Sequence, residues 1–206
     1  MRTPPTHAQL AQWRELPPAC IYKHDSRSRV WTPGSGGAET AGIKTSGGVV
    51  VVFKQWVHHP LKQAVLWVLR LHPAQRERRM HRRLAAAGLP AAPIWGAGLV
   101  RRGLGVEAWL ATPALGESVY NRIRLGAEGE ELAARGRTLL EQLAAAGYVW
   151  RDSKASNVLC DADGRLWLID LGSARRSVSD AQRQRMLARW DAHVAEAFSL
   201  RAEPDW

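Results

Sequence analysis

Residues 148–175 read YVWRDSKASNVLCDADGRLWLIDLGSAR. Two apolar runs, Val158-Leu159-Cys160 and Leu166-Trp167-Leu168-Ile169, flank the polar Asp161-Ala162-Asp163-Gly164. That pattern predicts a β-hairpin with Asp163-Gly164 as its tight turn. A polar signature lies at each end of the hairpin, Arg151-Asp152-Ser153-Lys154-Ala155-Ser156-Asn157 before it and Asp170-Leu171-Gly172 after it. Any one of these polar residues alone reads most simply as a capping or solvated side chain, because Asp and Asn are common near turns. In register around one hairpin they converge, since the returning strand carries Asp170 back towards Asn157.

This arrangement resembles the catalytic loop and metal-binding loop of the protein-kinase-like phosphotransferases. There a catalytic-loop Asp is followed five positions on by a metal-binding Asn, and a D-F-G Asp carries the main Mg²⁺. Asp152 and Asn157 have that spacing, and Asp170 opens the D-F-G position. Phosphoryl transfer asks for groups that orient a hydroxyl and neutralise phosphate charge. Asp152 can accept the acceptor's proton and Lys154 can serve as a point charge beside the moving phosphate. Asn157 and Asp170 offer the hard oxygens that Mg²⁺ prefers.

Upstream, Val49-Val50-Val51-Val52-Phe53 reads as a buried strand and Lys54 ends the run. Its place resembles that of the kinase lysine that holds nucleotide phosphates. Residues 73–88 predict a helix, with Gly88 as C-cap and Pro90 beyond. At about 100° per residue Glu77, Met80 and Leu84 share one face, and Arg78, Arg79, Arg82 and Arg83 lie opposite. A lone acid directed inward calls for a cation, and Lys54 is the candidate, as in the Lys–Glu pair of kinases. The loop PGSGGAETAG lacks a clean G-x-G-x-x-G. Gly34 and Gly36 either let backbone amides approach phosphate or simply make a flexible turn. Residues 94–100 and 106–111 read as the last strands of an antiparallel sheet. Thr112-Pro113-Ala114-Leu115-Gly116 resembles a kinase hinge, and by position the Thr112 carbonyl and the Ala114 amide are the adenine contacts.

The chain has 206 residues, 46% hydrophobic and 23% charged, which suits a globular unit with a sizeable core. Lys+Arg 29 against Asp+Glu 19 gives a net charge of +10, so an anionic partner is expected: nucleotide, nucleic acid or an acidic membrane surface. Cys20 and Cys160 stand far apart, and Cys160 reads as a free core thiol. Residues 1–19 hold four prolines and no continuous apolar stretch. They read as a peripheral arm rather than a signal peptide, which implies a cytoplasmic protein. Residues 64–69 are too short to span a bilayer, which needs about 20 apolar residues, and read as a buried helix or an amphipathic element touching a membrane. Downstream, residues 131–146 predict a helix with Leu132, Leu139 and Leu143 inside. A second begins at an N-cap, Ser179, with Met186, Trp190, Val194 and Phe198 as its packed stripe.

Lys54, Glu77, Asp152, Asn157 and Asp170, with RERRMHRRLAAAGLPAAP and LWLIDLGSARR, resemble the lipopolysaccharide-core kinases, the Kdo kinase and WaaP-like heptose kinase family. That family is itself similar to the RIO branch of the kinase-like fold, and the likeness covers residues 25–190. It implies an α+β, bilobal protein-kinase-like fold: an N-terminal arm (1–19), an N-lobe of antiparallel sheet plus helix (20–112) and a reduced, mostly helical C-lobe (113–206). It also implies transfer of the γ-phosphate of ATP, with Mg²⁺, to a hydroxyl of an inner-core sugar, Kdo or heptose. Trp150 stands where the family has His, and Leu171 replaces the Phe of D-F-G. The stretch after Gly172 leaves no room for a long activation segment and peptide-docking helices, which favours a small or lipid-linked acceptor. Two alternatives stand beside this reading, a RIO-like serine/threonine protein kinase and a nucleotide-binding pseudokinase scaffold. The basic helix and the apolar run add an expectation of peripheral contact with the inner face of the inner membrane, with nucleic acid a less favoured partner.

Overall fold

The computed structural model describes residues 4–15, 18–24, 28–33, 50–56, 60–102, 105–126, 128–177 and 179–201. The chain divides into two compact units, Met1–Arg79 with Pro93–Ala114, and Met80–Ala92 with Leu115–Trp206. The fold is α+β, as the sequence implies.

The first unit begins with α1 (His7–Arg14), started by a capping box between Thr6 and Gln9. It continues through β1 (Pro18–His24), β2 (Ser28–Pro33), β3 (Val51–Trp56), α2 (Pro60–Val68), α3 (Pro73–Ala86, which runs past the unit boundary), β4 (Gly96–Arg102) and β5 (Gly105–Pro113). The strands form one antiparallel sheet in the order β1-β2-β3-β5-β4. Alternation along β3 fills both faces. Val51 and Phe53 join Leu10, Trp109 and Ala111 in one apolar cluster, and Trp56 joins Ala74, Ala108 and Leu110 in another.

Residues 7–14, expected within a peripheral arm, therefore deliver a fully buried side chain, Leu10. Gly96 makes the seat, since a Cβ there would lie 2.6 Å from Leu10 Cδ1. Lys54 does not end its strand. β3 runs on to Trp56, and Lys54 sits opposite Leu110 of β5.

The 64–69 run does not form the buried helix that is one of its two readings. In α2 the polar Gln63 is buried, while Leu61, Val65 and Val68 are exposed, as are Leu69 and Leu71 just beyond. The reason is hydrogen bonding. Gln63 Nε2 donates to the Trp56 carbonyl (3.1 Å) and its Oε1 accepts from the Ala108 amide (2.8 Å). Those two sheet groups draw the amide inward and turn the apolar face out.

The second unit adds β6 (Glu117–Ser118), α4 (Val119–Leu125), α5 (Gly129–Ala145), β7 (Tyr148–Trp150), β8 (Val158–Cys160), β9 (Leu166–Leu168), β10 (Ala174–Arg176) and α6 (Asp180–Ser199). Its core takes Leu132, Leu139 and Leu143 from α5 and Met186 and Trp190 from α6, with Val194 and Phe198 packed against it. Helices α5 and α6 meet closely, for a Cβ on Gly136 would come within 2.2 Å of the Trp190 ring. Gly88 and Gly147 take the positive φ that stops α3 and α5.

The hairpin forms with Val158 opposite Leu168 and Cys160 opposite Leu166. Its connection is a wider loop than the expected Asp163-Gly164 two-residue turn. Asp161 organises it, accepting at Oδ1 from the amides of Asp163 (3.0 Å) and Arg165 (2.8 Å) and at Oδ2 from Trp167 Nε1 (2.8 Å). Partial burial alone would raise the Asp161 carboxyl, but these hydrogen bonds outweigh it and hold the group below its ordinary value.

Candidate active site

In the first unit Lys54 Nζ lies 2.9 Å from Glu77 Oε2, with the Glu77 side chain only 5% exposed. Each residue type at its position accounts for the pair. Lys54 shares a strand face with Trp56, whose ring centroid lies 5.1 Å from the ammonium. Glu77 faces inward on α3 between Ala74 and Met80, while Arg79, Arg82 and Arg83 are exposed. The expected helical phase is the observed one.

The hinge geometry differs from expectation. The Ala114 amide donates to the Val50 carbonyl at 2.8 Å, which makes these two residues a hydrogen-bonded pair of the β3–β5 ladder. Two residues along, Thr112 is opposite Val52 and falls in the next such pair, its polar main-chain groups turned towards β3. The sheet thus already uses both groups that an adenine ring was expected to meet. Gly34 and Gly36 lie outside the described residues.

In the second unit β7 pairs with β10, Trp150 opposite Ala174, and the chain then turns through residues 151–154 into a short 3-10 segment, Ala155–Asn157. Asn157 Nδ2 donates to the Asp152 carbonyl (2.9 Å) and reaches its Oδ2 (3.3 Å). Lys154 Nζ lies 3.3 Å from Asp152 Oδ1, both side chains roughly two-fifths exposed. Beneath them Ser153 is fully buried, and its hydroxyl donates to the Met186 carbonyl at 2.8 Å. Across the hairpin the Ile169 amide donates to the Asn157 carbonyl at 3.0 Å, so Asp170 follows directly on a residue tied to Asn157. Asp152, Lys154, Asn157 and Asp170 are therefore gathered within this unit.

Asp170 adopts a left-handed backbone, φ 52° and ψ 50°. For a residue with a Cβ this conformation is uncommon, and Asp tolerates it better than most. The buried Trp150, which replaces the expected His, donates from Nε1 to the Asp170 carbonyl at 3.3 Å. Leu171, in place of Phe, is fully buried in the core.

His193 on α6 belongs to the same neighbourhood, and nothing in its sequence context distinguishes it. Its ring stacks at a tilt on Tyr120, centroids 4.6 Å apart, and its buried Nδ1 has no hydrogen-bond partner among the described residues. Burial lowers its pKa and the Lys154 ammonium adds to this, with Glu196 and Asp152 opposing.

Among the described residues no three His, Cys, Asp or Glu cluster as a metal cage. The donors expected for a metal in the second unit are the Asp170 carboxylate and the side-chain amide oxygen of Asn157. Such a sparse set of hard donors fits Mg²⁺, which usually keeps several waters and takes substrate phosphates as its other ligands.

The model of the lipopolysaccharide kinase (Kdo/WaaP) family matches residues 35–198, a span containing Lys54, Glu77, Asp152, Asn157 and Asp170. No curated protein matches the chain. A match over more than half of the sequence decides the family: the chain belongs to the lipopolysaccharide kinases of the Kdo/WaaP type, phosphotransferases whose acceptor is a sugar hydroxyl.

Proposed function

We propose that this kinase transfers the γ-phosphate of ATP to a hydroxyl of a lipopolysaccharide inner-core sugar, Kdo or heptose. The observation that carries this reading is the gathering of Asp152, Lys154 and Asn157 on one loop, with Asp170 tied to it through the Ile169–Asn157 bond. Asp152 accepts the hydroxyl proton as the oxygen attacks phosphorus, and Lys154 offsets charge beside it. Asp170 and Asn157 would hold Mg²⁺, which when bound neutralises charge on the phosphates. Lys54, steadied by Glu77, binds nucleotide phosphates. Nucleotide binding is assigned to residues 20–112 and the chemistry to residues 113–206.

The acceptor is an anionic glycolipid met at the cytoplasmic face of a membrane. Support comes from the +10 charge, the exposed Arg79, Arg82 and Arg83, and the outward Leu61, Val65, Val68, Leu69 and Leu71. Among the described residues no helix is long and apolar enough to cross a bilayer, so contact would be peripheral. Each basic residue near an anionic surface contributes about 1 kcal/mol.

The test is incubation of the purified protein with ATP and Mg²⁺, offering crude lipopolysaccharide and total protein as acceptors, read by mass spectrometry. Gain of one phosphate on the core oligosaccharide is the expected result. Phosphate appearing on protein alone would move the assignment to a RIO-like protein kinase, and ATP binding without turnover to a pseudokinase.

A further inference from the structure

A second feature of the same unit, a cavity of about 260 Å³, is walled by Arg151, Arg175, Arg185 and Arg189, with Gln182 at its side and Val149, Trp150 and Met186 as its floor. Three separate pieces of chain supply the arginines: the loop after β7, strand β10 and helix α6. Among the described residues no carboxylate lines the cavity, although acidic residues occur elsewhere on α6. Asp180 pairs with Arg183 at 3.2 Å and Asp191 with Arg137. None of the four arginines makes an ion pair among the described residues. The one side-chain hydrogen bond found for the group runs from Arg185 Nε to the Ala181 carbonyl at 3.1 Å. Arg185 and Arg189 also stand one turn apart on α6, a spacing at which like charges repel.

A solvated basic face needs neither a concavity nor convergence from three segments. Here four guanidinium groups without counter-charges among the described residues surround a hollow much larger than a single water requires. Planar guanidinium forks match the oxygens of a phosphate group two at a time. Repulsion among the arginines falls when a dianion sits between them. The floor is apolar, with Trp150 fully buried and Met186 3% exposed.

We propose that this cavity is a phosphate-binding site, filled either by free phosphate or by a phosphate ester already carried on the acceptor. Arg151 immediately precedes Asp152, so an anion held here would bear on the loop that carries the proposed base. The site stands on its own geometry and does not require the kinase reading.

The experiment measures binding to the full chain by calorimetry and thermal shift, with chloride at matched ionic strength as reference. The ligands are inorganic phosphate, phosphorylated core oligosaccharide and the same oligosaccharide after phosphatase treatment. The variants are Arg185→Ala/Arg189→Ala, the single charge reversal Arg189→Glu, and the control Arg124→Ala/Arg201→Ala on exposed positions. Wild type is expected to bind one phosphate-bearing ligand saturably. Both cavity variants should lose at least tenfold in affinity while retaining ATP binding and the helical spectrum, and the control should match wild type. Tight binding of inorganic phosphate identifies free phosphate as the occupant; binding of the oligosaccharide only in its phosphorylated form identifies the ester. The proposal is overturned if cavity variants bind as wild type does, or if no phosphate ligand stabilises the protein beyond chloride. Neither result depends on turnover, so each is distinct from failure of the acceptor assignment.

Discussion

The Trp150 indole N–H donates to the main-chain carbonyl of Asp170 at 3.3 Å, and Asp170 is one of two non-glycine residues with positive φ among those described. A buried donor thus holds the one proposed metal-binding carboxylate that sits on an uncommon backbone. Trp150→Phe keeps an aromatic ring and removes the donor. The expected cost is about 1–3 kcal/mol of stability from the lost hydrogen bond and the lost volume. A fall in kcat of roughly tenfold, or about 1.4 kcal/mol, is expected with it. Comparison of kcat and melting temperature checks the point, and an unchanged kcat in a destabilised protein would limit Trp150 to packing.

Lys54 and Glu77, 2.9 Å apart, are expected to act as one unit. Breaking a buried pair by removing one partner costs about 3–5 kcal/mol. Lys54→Met and Glu77→Gln should each lower stability and nucleotide affinity, and the double variant should be little worse than either single. A double-mutant cycle measures this, and simple additivity would show that the two charges act independently.

Asp152 and Asp170 should separate cleanly. Asp170→Asn is expected to abolish Mg²⁺-dependent ATP binding. Asp152→Asn should leave binding near wild type and lower transfer by roughly 100- to 10,000-fold, the range of a lost general base. Titration with a fluorescent nucleotide alongside transfer assays tests it, and equal loss of binding in both would undo the division of roles.

His193 is expected to make the protein acid-sensitive. Its folded pKa lies below the ordinary 6.5, so the unfolded chain binds the proton first as pH falls. Its contribution is neutral above about 6.5, and stability drops as pH descends from there through the folded value. Melting temperatures between about pH 7.5 and 5 should decline less steeply in His193→Gln. Identical slopes would show that other groups govern the transition.

Much of this was legible from residue order. The Lys54–Glu77 pair follows from helical phase, because Glu77 falls among Ala74, Met80 and Leu84 on the inward stripe. The hairpin follows from two apolar runs either side of polar residues, and the gathering of Asp152, Asn157 and Asp170 from that hairpin. What escaped depends on partners distant in sequence. The inversion of α2 is set by the Trp56 carbonyl and the Ala108 amide, 45 residues from Gln63 in the second case. Leu10 is buried because Gly96 leaves it space, and the Ala114 amide is taken by Val50. His193 and the arginine-lined cavity likewise have no local signature, since their neighbours come from separate segments.

The Gln63 amide has one more consequence. It fastens α2 to two adjacent strands at once, and one of its anchors, Trp56, lies two residues beyond Lys54 in β3. Tilting α2 upon a surface would either drag that strand or break both bonds, at about 1 kcal/mol each. Docking of the helix is thereby mechanically linked to the strand that carries the Lys54 ammonium, so, with the roles proposed above, attachment to a bilayer would tune nucleotide affinity from within this unit.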